Sequence, residues 1–516
     1  MNNIILSTLN ARYIHSSLGL RYLKANMGEL SEQTLLLEFI INNRPIDIAE
    51  SLLKHNPKII GFGVYIWNIE ETTQVVSLIK AIQPEVKIIL GGPEVSFEHD
   101  QQKIVTLADY VITGQADIAF SELCKKILTQ VPVEEKIIKA NPVPLPFLKL
   151  PYEYYSNEDI KNRVIYVEAS RGCPFKCEFC LSSLDKTAWP FDLDLFLNEM
   201  DKLYHRGARD FKFIDRTFNL KIQSSIKILE FFLAKEDDNL YLHFELIPDH
   251  LPEKLKSVLK KFPEGSLQFE IGIQTFNPDV QTLISRKQNN DKSKENIQWL
   301  RQETHAHLHT DIIMGLPGET LESIASSFNQ LVSLEPHEIQ MGILKRLRGT
   351  PLIRHTDQYD MRYNPEAPYN ILSNNVIDFH TMQRLSRFAR FWDMIANSGR
   401  FNYTLPAILH NNGFNRFLLL SDWLYKTSNQ THKISLARLF DFIFTAMTEV
   451  LKVNEDEARQ VLWQDFQTSG LKGQPAFANQ EMIIEQKMKK TKVLKPKSDM
   501  PSRQARHAKT LKQQNF

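Results

Sequence analysis

Three of the four cysteines in this 516-residue chain fall within nine residues, Gly172-Cys-Pro-Phe-Lys-Cys-Glu-Phe-Cys180. Cys173, Cys177 and Cys180, spaced C-x3-C-x2-C, place three soft thiolates on one short loop, a donor set suited to an iron–sulfur cluster or to zinc. Three thiolates hold three irons of a four-iron, four-sulfur cluster and leave the fourth iron open to a non-protein ligand. Structural zinc calls for a fourth protein ligand, and the nearest further donors, Cys124 and His205, lie well outside the loop. A disulfide fits poorly, because a cysteine-poor chain without an export signal points to a reducing compartment.

Something must hold this loop. The β-branched run Val164-Ile-Tyr-Val-Glu-Ala-Ser170 just before it reads as a strand, so the cysteines leave a strand's carboxyl end. Further strands are expected at 210–214, 241–246, 267–273, 307–313 and 337–344, alternating with helical segments. Six such units suit a partial (β/α)6 barrel, whose chemistry gathers at the carboxyl ends of its strands. Those ends carry Asp215 and Arg216, then Glu245, then Gln274 with Arg286 on a following helix, then Asp311. Taken singly, Asp215 and Arg216 also read as a salt bridge at the barrel rim, and Arg286 as a surface arginine.

The first 140 residues alternate short apolar runs (4–9, 34–40, 58–65, 87–90, 110–113) with amphipathic segments, which predicts a doubly wound parallel sheet of five strands. Ligands of such sheets bind at the strands' carboxyl ends. Here those ends hold Gly91, Gly92 and Gly114, and small residues let backbone approach a large flat ligand. Four prolines in Asn141–Pro151 mark a connector. The expected organisation is an α/β domain over 1–140, a proline-rich linker over 141–160, the barrel over 161–352, a mostly helical domain over 353–485 and a tail over 486–516. The tail has ten Lys or Arg against one acid, a composition for a solvated, disordered basic segment.

The cysteine spacing, with Phe179 before the last cysteine, resembles the radical S-adenosylmethionine (SAM) superfamily. Glu245, Gln274, Arg286 twelve residues later and Asp311 match the positions that contact SAM in the branch including oxygen-independent coproporphyrinogen oxidases. Asp215-Arg216 stands where many members have Gly-Gly-Glu, and Asp215 is carried as a SAM contact. The α/β domain ahead of the cysteines resembles the cobalamin-binding domain of cobalamin-dependent radical SAM proteins, with Gly91, Gly92 and Gly114 against the corrinoid. The D-x-H-x-x-G loop of the other large cobalamin class is absent, since Tyr13 precedes His15 at the matching place and Gly19 follows one residue late. His15 is therefore expected to be a loop or helix-start residue rather than a cobalt ligand.

The resemblance implies a 4Fe–4S cluster on the three cysteines, reductive cleavage of SAM to a 5′-deoxyadenosyl radical, and methyl transfer to an unreactive carbon. It implies an electron donor of flavodoxin or ferredoxin type and names no substrate; no general acid, base or nucleophile stands out. Two other readings stay open. One is an RNA-modifying methylthiotransferase, whose relatives carry a further N-terminal cysteine cluster where this chain has only Cys124. The other is a non-enzymatic cluster or corrinoid carrier, which would need no SAM pocket. Net charge of +1 and 42% hydrophobic residues give no global pull toward nucleic acid or membrane; RNA binding through the tail is not favoured. No apolar run reaches membrane-spanning length and the N-terminus does not read as a signal, so a cytoplasmic location is expected.

Overall fold

Two six-stranded parallel sheets organise the protein. The computed structural model describes residues 3–237, 239–480, 482, 503, 504, 506 and 507. The first sheet contains β1 (Ile4–Asn10), β2 (Thr34–Ile40), β3 (Ile59–Gly63), β4 (Lys87–Gly91), β5 (Tyr110–Thr113) and β6 (Ile137–Lys139), in the order 2-1-3-4-5-6. β1 is buried at every residue, which explains its near-continuous apolar sequence: it is sandwiched between β2 and β3 and covered on both faces. β6 is a sixth strand where five were expected. It spans three residues, too few for an alternation to register, and it forms because the exposed edge of β5 accepts it in parallel.

The second sheet runs β7 (Ile165–Val167), β8 (Asp210–Phe213), β9 (Tyr241–Leu246), β10 (Leu267–Gln274), β11 (His307–Met314) and β12 (Glu338–Ile343), each hydrogen-bonded to the next. It is a row with two free edges, a partial barrel. β10 alternates strictly between buried and half-buried residues. Leu267, Phe269, Ile271 and Ile273 face the helices, and Gln268, Glu270, Gly272 and Gln274 take the other face. The same period puts Lys212, His243, Glu245, His309 and Asp311 on the inner face. Lys212 Nζ and His243 Nε2 both reach Glu270 Oε1, at 3.0 and 2.9 Å. This barrel has a polar interior under an apolar outer layer.

The proline-rich connector is packed, not loose. Tyr152 and Tyr155 are fully buried in the barrel's core. Asp159 meets Arg21 of the first helix at 2.9 Å, and Arg21 also meets Glu38 of β2 at 2.9 Å. Further ties join the two sheets: Arg171 to Asp117, and Arg346 and Arg348 to Glu94 and Glu98. The C-terminal third is helical, with helices Phe379–Ile395, Thr404–Leu409, Gly413–Ser428, Leu436–Glu449 and Glu455–Thr468. Met382, Leu385, Phe388, Phe391 and Trp392 are buried core, while Phe379 faces out.

Most of the segment expected to be a disordered tail lies outside the described residues. Four of its residues do not: Arg503 bridges Glu338 and Asp393, Gln504 reaches Tyr241 and Gln268, Arg506 donates to Ser398 O, and His507 lies on Asn397 O. Tyr241, Gln268 and Glu338 begin or nearly begin their strands, so these residues sit across the barrel's foot. Among the described residues no helix is long and apolar enough to cross a membrane.

Candidate functional site

The cysteine loop is shaped by its backbone. Gly172 has φ +90°, and a Cβ there would collide with Thr187, so only glycine makes this turn without strain. The Cys173 N–H donates to Asp185 O and the Cys180 N–H to Cys177 O, at 3.0 and 3.1 Å. Glu178, between the last two cysteines, is buried and pins the loop from below. Its carboxylate accepts from Ser285, Arg354 and His355, and its N–H donates to Ile284 O. Sequence reading passed over Glu178; its one signal was a charged residue in an otherwise apolar trio.

Cys173, Cys177 and Cys180 line one cavity of about 300 Å³ together with Arg216, Glu245, Glu270, Gln274, Arg286 and Asp311. Burial raises the thiol pKa of Cys173 and Cys177. Two guanidiniums oppose that shift: Arg216 acts on Cys173, and Arg286 Nη1 lies 3.7 Å from Cys177 Sγ. Among the described residues no three His, Cys, Asp or Glu side chains converge on one ion-sized point. Three thiols lining one cavity beside two guanidiniums fit a multi-iron cluster of net negative charge.

The polar wall opposite is under-satisfied. Gln274 adopts φ +69° where β10 shifts register against β11, and its buried Oε1 has no partner. Asp311 Oδ1 is likewise buried and unpartnered, with His309 Nε2 3.5 Å away. Burial pushes the Asp311 carboxyl up to about 7. Glu245 accepts from Arg216 at 2.7 Å. Arg286 is fully used, donating also to Gly272 O and Gln288. Asp215 stands apart: it does not line this cavity and forms no rim salt bridge with Arg216. It accepts from the Ala169 N–H at 2.9 Å and the Ser170 hydroxyl at 2.6 Å, bracing the turn that enters the cysteine loop. Burial puts its carboxyl at about 7.

A second cavity of about 600 Å³ opens between the sheets, and Arg216 lines both it and the first. Its walls include His15, Tyr65, Trp67, Tyr166 and Arg171. Tyr65 and Trp67, after β3, stack at 4.4 Å. His15 Nδ1 lies 2.7 Å from Tyr166 Oη, so this ring nitrogen is already engaged. Through Gly19, Tyr65, Gln115 and Arg171 the second cavity meets a third, of about 270 Å³. Gly61, Gly63, Gly91, Gly92 and Gly114 line it beside Leu20, Leu23, Leu90 and Phe120. Gly92 has φ +107°, and a Cβ would strike the Val64 carbonyl. Gly61 and Gly92 are required by close packing, whereas Gly91 and Gly114 have room for a side chain and leave the space open to a bulky ligand.

The fold and site define a protein that joins a doubly wound α/β sheet to a partial barrel carrying a three-thiol loop at its strand ends. Known families agree. A radical SAM superfamily model matches residues 167–331, a B12 binding domain model residues 5–124, and a model described as a protein of unknown function (DUF4080) residues 357–516. The chain thus carries a radical SAM domain, a B12 binding domain ahead of it, and a DUF4080 region in its helical C-terminal part. It is similar to the uncharacterized methyltransferase PH0819 of Pyrococcus horikoshii, 23% identical over 65% of this chain and 77% of that one. It is also similar to the cobalamin-dependent radical SAM methyltransferase TokK of Streptomyces tokunonensis, 22% identical over 63% of this chain and 52% of that one, about half of TokK's length. Among solved structures, the radical SAM methyltransferase TsrM of Kitasatospora setae, with cobalamin and a 4Fe–4S cluster bound, matches with a TM-score of 0.55 at 16% identity, over 69% of this chain and 75% of TsrM. That likeness is one of fold.

Proposed function

We propose that this protein is a cobalamin-dependent radical SAM enzyme that methylates an unreactive carbon. The observation that carries the reading is a run of three cavities, each sharing lining residues with the next: thiols and under-satisfied polar groups at one end, the space between the sheets in the middle, a glycine-lined cradle at the other. When bound, the cluster supplies the electron that splits SAM into methionine and a 5′-deoxyadenosyl radical, and the corrinoid supplies the methyl group.

The chain's own contribution is placement. Cys173, Cys177 and Cys180 hold the cluster, and Arg286 offsets negative charge beside Cys177. Gln274 Oε1 and Asp311 Oδ1 accept hydrogen bonds from SAM, and Glu245 takes its amino group. Gly91, Gly92 and Gly114 would leave room for the corrinoid, and His15 is turned to Tyr166. The substrate enters the middle cavity, where Tyr65, Trp67 and Tyr166 exclude water that would quench a radical. A low-potential donor of flavodoxin or ferredoxin type, in a reducing cytoplasm, completes the set of partners. A polar SAM wall beside the thiols also separates this reading from a carrier, which has no use for one.

Anaerobic reconstitution with iron, sulfide and hydroxocobalamin tests the assignment. About four irons and one cobalt per chain, then 5′-deoxyadenosine on reduction with SAM, are expected. Iron without cobalt under excess cobalamin would remove the methyl-transfer half; iron without SAM cleavage would remove the enzyme.

A further inference from the structure

A fourth cavity, of about 610 Å³, lies between the barrel and the C-terminal helices and shares no lining residue with the thiol cavity. Ile339, on its wall, pairs in register with Thr310, between the neighbours His309 and Asp311 that face the barrel interior. Alternation therefore puts Ile339 on the helix-facing side, and the sheet stands between this cavity and the thiols. The polar groups left over on its wall are donors. Arg301, near the end of the helix Asn290–Glu303, donates from Nε to Glu335 O at 2.8 Å, and no partner for Nη1 or Nη2 is found among the described residues. Glu335 is the wall's one acid among the described residues; it is exposed and offers Arg301 its backbone carbonyl, with no ion pair between the two. Burial outweighs the pull of Glu335 and lowers the arginine's pKa, as happens to a guanidinium short of countercharge. His337 Nδ1 accepts the Leu308 N–H at 3.0 Å and burial keeps the ring neutral, so its hydrogen sits on Nε2, a donor. Asn329 Oδ1 accepts the Phe414 N–H at 2.9 Å, which leaves its amide nitrogen without a partner among the described residues. Trp392, also on the wall and 3% exposed, has an unpartnered Nε1. The helix Gly413–Ser428 starts at the wall with the positive end of its dipole and without a side-chain cap from Asn412.

Donors from several elements, with no acid paired to them, make a wall that an anion satisfies. The space is far larger than a bare ion needs, and Val332, Leu405 and Leu409 join Ile339 in giving it an apolar part. We propose that this cavity is a second ligand site, for an organic anion with a carboxylate or phosphate head and an apolar body. Because the sheet separates it from the thiols, the ligand is not a reactant. Its place is between the barrel and the helical domain, and His507 of the C-terminal segment is on the same wall, so its binding ties all three together.

The test is calorimetric titration of the full-length protein, reconstituted with iron and sulfide, with phenyl phosphate, phenylacetate, benzyl alcohol and inorganic phosphate. At least one of the two organic anions is expected to bind about tenfold or more tightly than benzyl alcohol, which lacks the charge, and than inorganic phosphate, which lacks the body. The tighter of the two identifies the head group. Arg301→Gln is expected to weaken that anion about tenfold. Asn329→Asp keeps the oxygen that accepts from Phe414 and replaces the amide with a negative charge. It should weaken the anion about tenfold or more and leave benzyl alcohol within about twofold of wild type. The anion should raise the thermal midpoint of the wild type and not of the variants, and midpoints without ligand report whether each variant folds. No binding of either organic anion at millimolar concentration, benzyl alcohol binding as tightly as both, or anion affinity unchanged in both variants overturns the proposal. Each of these outcomes leaves the radical SAM reading to its own test, cluster loading and SAM cleavage.

Discussion

The two parallel sheets obey one rule and present opposite chemistry. Each offers its ligand the carboxyl ends of its strands. In the first sheet the ends that line the third cavity are mostly glycines and aliphatics, and what they offer is space. In the barrel they carry thiols, carboxylates and guanidiniums, and recognition is by charge. The contrast extends inward, from a β1 buried at every residue to a barrel interior holding Lys212, His243 and Glu270 in contact. The first sheet spends its buried polar side chains, Thr8, Asn10 and Asn68 among them, on backbone and on one another, as a sheet that only cradles can. One that orients a charged ligand must build a polar interior and satisfy it.

Separate variants should separate the two ends. The largest effect is expected from Cys180→Ala, which should drop iron from about four per chain to near zero while hydroxocobalamin binding stays at wild-type level, read by metal analysis after desalting. Next is Gly91→Phe. A Cβ at Gly91 meets only Ile112 O, at 3.8 Å, so the backbone tolerates it and the ring enters the cradle. Cobalamin affinity should fall about 100-fold with iron retained; loss of both would erase the distinction between the ends.

Asp311→Asn should weaken SAM about tenfold. The wild-type carboxyl, at about 7 without ligand, accepts better when ionised, so SAM affinity should rise with pH through about 7 and the variant should lose that slope. The same group affects folding in the opposite sense. Because the folded state holds a proton that the unfolded state releases, stability falls as pH rises from about 4 to about 7. That dependence should be shallower in Asp311→Asn, by denaturant midpoints across pH. The smallest effect is expected from Gln504→Ala, about 1 kcal/mol of stability, with iron and cobalt unchanged.

Much of this was legible in the sequence because period and spacing are local. Strands Thr34–Ile40, Tyr110–Thr113 and Tyr241–Leu246 were read to the residue, and the cysteine loop announced itself. What was not legible depended on partners far along the chain. β6 exists because β5 has a free edge. The helix Glu455–Thr468 went unread because its acidic start carries little apolar pattern; Asn454 caps it and the rest of the bundle orders it. Asp215 and Arg216 were read as a pair since they are adjacent, but they lie in the loop past β8, where their side chains part. One braces the turn and the other lines the thiol cavity. Glu178 needed Ser285, Arg354 and His355 before its role was visible.

Gln504 and its neighbours give the barrel a history as well as a shape. They follow the last barrel strand by the whole helical domain, so while the chain is being synthesised the sheet can pair and the cysteine loop can form while the foot is still open. Until the late segment arrives, Tyr241, Gln268 and Glu338 lack the partners that Arg503 and Gln504 supply. Closure of the foot is thus the last contact the chain can make, after the sheet and the cysteine loop are complete.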